Sequence, residues 1–144
     1  MKRALIAVAV TVVVLALSAI VARWLSADTD ERAQVVELLR AQARGDAPAM
    51  LRLLRCRDAA CVSVVRDNAR RLRGRGELRI VAYQSGTGHA VRARTRPTRV
   101  AWLLPERLPT VQCVLVRRTG NLLSGTSVSL LRLSAPIGRE SSCS

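Results

Sequence analysis

At 144 residues the chain has room for one domain, or for one small domain with an appendage. Nearly half of it is apolar, yet it has no Phe and three aromatics in all, and its formal charge is +14. These figures exclude a multidomain chain and leave no stacking platform of the kind that single-stranded nucleic acid requires.

The chain opens on "MKR" and then on "ALIAVAVTVVVLALSAIVA", residues 4 to 22, which carries no charge. At ~1.5 Å per helical residue such a run approaches the ~30 Å hydrocarbon thickness of a bilayer. It predicts a transmembrane signal-anchor over 4–25, after a cytoplasmic n-region at 1–3 and before a hinge at 26–30. Arg23 and Trp24 suit the headgroup layer. The run is longer than the h-region of a signal peptide, which favours an uncleaved anchor; secretion after cleavage is the alternative. Lys2 and Arg3 favour a cytoplasmic N-terminus, and four cysteines suit an oxidising exterior. The expected location is the plasma membrane, single-pass, with the C-terminal domain outside.

From Asp28 onward lie all ten acids and all but three of the 24 basic residues, a net charge of +11. Lys2 is the only lysine, so the basic surface is spelled in arginine. A field of this size attracts anionic surfaces without specifying which.

Three short amphipathic helices are predicted next. In "ERAQVVELLRAQAR", Ala33, Val36, Leu39 and Ala43 form a stripe that Val35 and Leu38 widen, while Glu31, Arg32, Arg40 and Arg44 stay in water. Gly45 ends this helix, Asp46 caps a second with Pro48 in its first turn, and Asp58 caps a third that Gly74 and Gly76 stop. The period then becomes strand-like in "ELRIVAYQS", "HAVRARTRPTRVAWLLP", "TVQCVLVRR" and "LLSGTSVSLLRLSAPI". "SGTG" (85–88) and "TGN" (119–121) read as turns, and Gly125 as an irregularity in the last strand. In the second strand, odd-numbered Val91 and Ala93 face the core before Pro97, whereas Val100, Trp102 and Leu104 do so after it. That change of parity predicts a bulge or turn near Arg96 to Thr98. The fold class is α+β: an N-terminal transmembrane helix, then about three helices packed on a curved antiparallel sheet of four to five strands, with the domain over 31–137 and a polar tail at 138–144.

The helical layer, the "ARGDAPAMLRLL" corner and the long antiparallel strands together resemble the NTF2-like (SnoaL-type) superfamily. More narrowly, they resemble its small membrane-anchored extracytoplasmic members of high-GC bacteria. The resemblance covers roughly Asp28 to Ile137 and rests on topology and texture, with no invariant motif. It implies a cone with a pocket between sheet and helices, which enzymes of the family line with acidic or tyrosine groups. It also implies that noncatalytic members act as accessory or interaction domains.

Chemistry-bearing residues are few. Cys56 and Cys61 flank "RDAA" at a helix–helix corner, where a bridge would fix the angle between the second and third helices. The remaining pair would then be Cys113 with Cys143, although four cysteines allow three connectivities. A zinc site wants two closely spaced cysteine pairs or a histidine set, and a redox pair wants C-x-x-C, so structural disulfides are expected, with no metal and no cofactor. His89, the only histidine, sits at a turn without an adjacent Asp or Ser. No paired carboxylates stand out for acid–base work, and no catalytic residue is expected. Tyr83 and Trp102 are candidates for lining a pocket. Arg66, Arg70, Arg71, Arg73, Arg75 and Arg79 cluster around the end of the third helix, and Arg92, Arg94 and Arg96 alternate along a strand. They read first as a solvated face, and alternatively as contacts for envelope polymer or lipid headgroups. The expected function is a noncatalytic, membrane-anchored accessory or interaction domain of the cell envelope. An anion-binding module and a small-molecule enzyme are the alternatives, with nucleic acid disfavoured and the oligomeric state open.

Overall fold

The computed structural model describes residues 2–87, 93–121, 125–138 and 140–143. Among them the elements run α1 (Lys2–Arg44), α2 (Ala47–Leu53), α3 (Ala59–Arg71), β1 (Arg79–Gln84), β2 (Arg94–Leu103), β3 (Thr110–Asn121) and β4 (Gly125–Leu133). The four strands form an antiparallel meander in the order β1-β2-β3-β4.

The N-terminal part corrects the sequence reading. No helix among the described residues is long and apolar enough to cross a membrane. From Val8 to Ala22 the uncharged stretch of α1 is exposed at every position but Ile20. Its Val8, Val10, Val12 to Leu15, Leu17 and Val21 are more than half exposed. Nor is there a hinge at 26–30, since α1 is helical without a break from Lys2 to Arg44.

The caps stand where the sequence puts them. Asp46 accepts a hydrogen bond from the Ala49 amide at 2.9 Å, and Asp58 accepts one from the Cys61 amide at 2.7 Å. Each answers one of the orphan donors of a helix N-terminus. Gly45, at φ 75°, ends α1 in the left-handed conformation that a side chain disfavours.

The buried face of α1 is rotated from the expected stripe. Val35, Leu38, Leu39 and Gln42 are fully buried, whereas Ala33 is exposed. Met50 and Leu54 from α2 and Val65 and Ala69 from α3 close on the same core. The sheet supplies Val100, Trp102, Val114, Val116, Leu130 and Leu133.

Strand parity departs from expectation in an instructive way. The β2–β3 register is unbroken from Arg94↔Arg118 to Trp102↔Thr110, so no bulge or turn forms at Pro97. Even positions face the helices throughout β2, and Arg94 and Arg96 share the face of Thr98, Val100 and Trp102. These two arginines are exposed, although Val116 and Arg118, their partners on β3, are buried. Pairing of β1 with β2 ends at Gln84↔Arg99, so Pro97 sits where β2 has lost one neighbour. A residue without an N–H is tolerated at such an edge. The irregularities fall instead in β1, where Val81 is the extra residue, and in β4, where Leu131 is. Gly125 merely begins β4, and Thr119 to Asn121 continue β3 up to a connection outside the described residues.

Gly86 packs directly on Pro97. A Cβ at Gly86 would overlap the Pro97 carbonyl oxygen and stand 2.8 Å from its carbon. Gly86→Ala is therefore expected to cost about 1–3 kcal/mol, because backbone rather than a side chain would have to move. Chemical denaturation of the full chain would read this as a lower midpoint at unchanged slope; an unchanged midpoint would refute the contact.

Both disulfides are present, Cys56–Cys61 and Cys113–Cys143. The second draws the tail across the sheet face that points away from the helices. Ile137, at the start of that tail, bridges to Val111 on the edge of β3 beyond its pairing with β4, its amide donating to the Val111 carbonyl at 2.8 Å.

Candidate functional site

The strongest concentration of polar groups lies inside the fold, around Glu31. The sequence places Glu31 in water; the structure buries it completely. It shares one helical stripe with Val35, Leu38 and Gln42, which is how α1 carries it to the sheet. One carboxylate oxygen, Oε1, accepts from Tyr83 Oη on β1 at 2.9 Å and from Thr98 Oγ1 on β2 at 2.8 Å. The other, Oε2, accepts from Thr87 Oγ1 at 2.6 Å and from Arg118 Nε on β3 at 3.0 Å. Arg118, 5% exposed, also reaches half-exposed Asp28 one helical turn earlier. Helix and three strands are thus tied to a single carboxylate.

The electrostatics follow from this geometry. Burial alone would raise the Glu31 carboxyl, but the hydroxyls of Thr87, Thr98 and Tyr83 and the Arg118 guanidinium outweigh it and hold the group below its ordinary value. Burial, reinforced by the facing carboxylate, pushes the Tyr83 phenol well above its usual range. For Arg118, burial acts against the charge, yet Asp28 and Glu31 raise its proton affinity above the ordinary guanidinium value. Glu31 is therefore an ionised acceptor with both oxygens engaged and no exposure to solvent. A general base needs a free lone pair within reach of a substrate proton, and a general acid needs a proton to give. Glu31 has neither. The arrangement fixes α1 on the sheet.

A second buried network joins α1 and α3 to the sheet. Gln42 and Gln112 pair through their amides, Nε2 of Gln42 donating to Oε1 of Gln112 at 2.9 Å. Trp102 Nε1 donates to the same oxygen at 2.9 Å. Gln112 Nε2 and Asn68 Nδ2 both donate to the Ser134 carbonyl, at 3.0 and 2.9 Å. Of the pocket candidates of the sequence, Trp102 is a buried polar anchor in this network, and half-buried Tyr83 packs against the core with its hydroxyl on Glu31. Arg32 lies over the Tyr83 ring at 5.7 Å.

Compared with protein families, curated proteins and solved structures, the chain matches none.

The arginines separate into groups. Arg66, Arg70, Arg71, Arg73, Arg75 and Arg79 are all exposed on the outside of α3 and the segment leading into β1. Asp67 takes up two of them, at 2.6 Å from Arg70 and 3.5 Å from Arg71. Arg94 and Arg96 are exposed on β2, while Arg92 and His89 lie outside the described residues. The sequence reading did not single out Asp28, Glu31, Thr87, Thr98 or Arg118. A signal for two of them existed: Thr98 holds the inward parity of Val100 and Trp102, and Arg118 that of Val114 and Val116.

Proposed function

We propose that this chain is a noncatalytic accessory domain that acts by contact with a partner in an oxidising compartment outside the cytoplasm. The observation that carries this reading is the state of Glu31. The most buried ionisable group among the described residues has both oxygens taken up by partners on three strands, so the interior serves the fold. Three clefts among the described residues lie on the outer surface, where a partner meets them. Two disulfides support the compartment, because such bridges persist where glutathione does not reduce them. The resemblance to NTF2-like domains enters this proposal only through the order of elements, helices first and an antiparallel meander after.

Crosslinking of the full chain in its native cells, followed by identification of what is captured, tests the contact. A discrete partner held through the outer surface is the expected result. A small molecule bound in the interior, or turned over by the purified chain, would overturn the reading. Thiol labelling of intact cells tests the compartment: cysteines reactive only after reduction support it, and labelling without reductant only after lysis contradicts it.

A further inference from the structure

We propose that the outer face of the sheet carries a phosphate-binding cleft walled by Arg55, Arg57, Arg117 and Arg132. The proposal rests on the reading of the chain as an interaction domain and names the chemistry of what it meets. None of these four belongs to the arginine clusters that stand out in the sequence; two strands, the α2–α3 connection and its disulfide bring them together.

The cleft has a structural origin. Leu115 pairs with Arg132 but Val116 pairs with Leu130, so Leu131 is an extra residue in β4. Such a bulge increases local twist and re-aims the side chains beside it. Arg117 lies two residues beyond Leu115 on the same side of β3, facing away from the helices. On the other wall, Leu54 bridges to Leu130 and the Arg55 amide donates to the Leu130 carbonyl at 2.8 Å, which adds a short rung to the edge of β4. Arg57 sits within the loop closed by Cys56–Cys61. The backbone of every one of the four is therefore anchored by a strand, a bridge or a disulfide, and ordering it costs a ligand little.

The charge is unbalanced and stays so. Asp58 is the one carboxylate in the cleft, and both of its oxygens are engaged. Oδ1 accepts from the Cys61 amide at 2.7 Å and Oδ2 from Arg132 at 2.7 Å. Among the described residues no carboxylate is paired with Arg55, Arg57 or Arg117. Guanidinium forks match tetrahedral oxyanions and bind them through charge-assisted, bidentate hydrogen bonds. The cleft volume, about 270 Å³, falls below the range of drug-sized pockets, ~300–1,000 Å³. It suits a single small charged group. Phosphate, free or at the end of a larger molecule, fits that description.

Calorimetric titration of the full chain with inorganic phosphate at low ionic strength and pH 8 tests the site. Saturable binding at one site is expected, weakened about tenfold by Arg57→Gln and by Arg117→Gln. Neither side chain holds an ion pair, and Arg117 gives up only an exposed 3.3 Å hydrogen bond from its Nε to Thr95 Oγ1, so both variants should keep the parent thermal midpoint to within a few degrees. Arg66→Gln combined with Arg73→Gln removes two exposed charges outside the cleft and should change affinity by about twofold at most, the general-field effect. Absence of saturable binding, or equal weakening by this control pair, overturns the proposal. Phosphatidylglycerol vesicles give a second arm: binding that follows Arg57 and Arg117 puts the phosphate on a lipid, and binding indifferent to them puts it on a soluble partner. Capture of a partner that survives both cleft substitutions overturns this site and leaves the interaction reading standing. Site-dependent phosphate binding with no partner captured supports the site and counts against that reading alone.

Discussion

Replacing Glu31 with alanine is expected to destabilise the fold by on the order of 3–5 kcal/mol, the range seen when one member of a buried ion pair is removed. The loss is large because Arg118, 5% exposed, would keep only the half-exposed Asp28 as a counter-charge. Three hydroxyls, on Tyr83, Thr87 and Thr98, would lose their common acceptor as well. For a domain of about 100 residues this lowers the thermal midpoint by at least ~12 °C. A midpoint within a few degrees of the parent would refute the role of the cluster. Glu31→Leu with Arg118→Met should lose less than either single change, since replacing both charges leaves neither one stranded.

The same carboxylate predicts a pH dependence with a definite sign. Glu31 is held below its ordinary value of 4.5, so the unfolded chain binds its proton more readily than the folded one. Its contribution is fully present above about pH 4.5 and is lost as the pH falls through the lower, folded value. Thermal midpoints of the parent should therefore drop on acidification below that point. Glu31→Gln should start lower and show a shallower decline; parallel curves would exclude Glu31 as the source.

Loss of the Cys113–Cys143 bridge is the second large effect expected. The bridge spans 30 residues, and loop-closure entropy assigns a constraint of that length roughly 3–4 kcal/mol. Cys56–Cys61 spans five residues, for which the same relation gives about 2 kcal/mol. Cys113→Ser with Cys143→Ser should therefore lower the denaturation midpoint more than Cys56→Ser with Cys61→Ser. The reverse order would show that the short bridge acts through the native geometry of the α2–α3 corner rather than through the unfolded chain. Reductant should abolish the difference between the first pair of substitutions and the parent.

What could be read from the sequence was what local chemistry encodes. Asp46 and Asp58 announce helix starts because a short acceptor before an apolar run has one common use, and both cap as expected. The change from helical to alternating period places the boundary between helices and meander correctly. The corner between Cys56 and Cys61 brings its two cysteines together, as their positions suggest. What could not be read depends on neighbours distant in sequence. Glu31 looks like a surface charge until Arg118, 87 residues away, is folded against it. Arg94 and Arg96 look like the outer face of β2, because water reaches both sides of the strand there, although they share the face of Thr98 and Val100. The parity change expected in β2 does not occur; an irregularity lies in β1 instead, where Val81 is the extra residue, so Ile80 and Tyr83 both turn toward the helices. The phosphate cleft was hidden for the same reason, since its arginines come from β3, β4 and the α2–α3 connection, and no stretch of sequence holds them together.

The unbroken course of α1 fixes an angle as well as a length. Each helical residue advances the azimuth by about 100°, so the apolar half of α1 stands in a set rotational phase to the sheet. One residue inserted between Ala22 and Asp28 would turn that half by about 100° relative to the domain, whereas seven would bring it back to within ~20°. Whatever meets the exposed valines of α1 therefore meets the domain in one orientation.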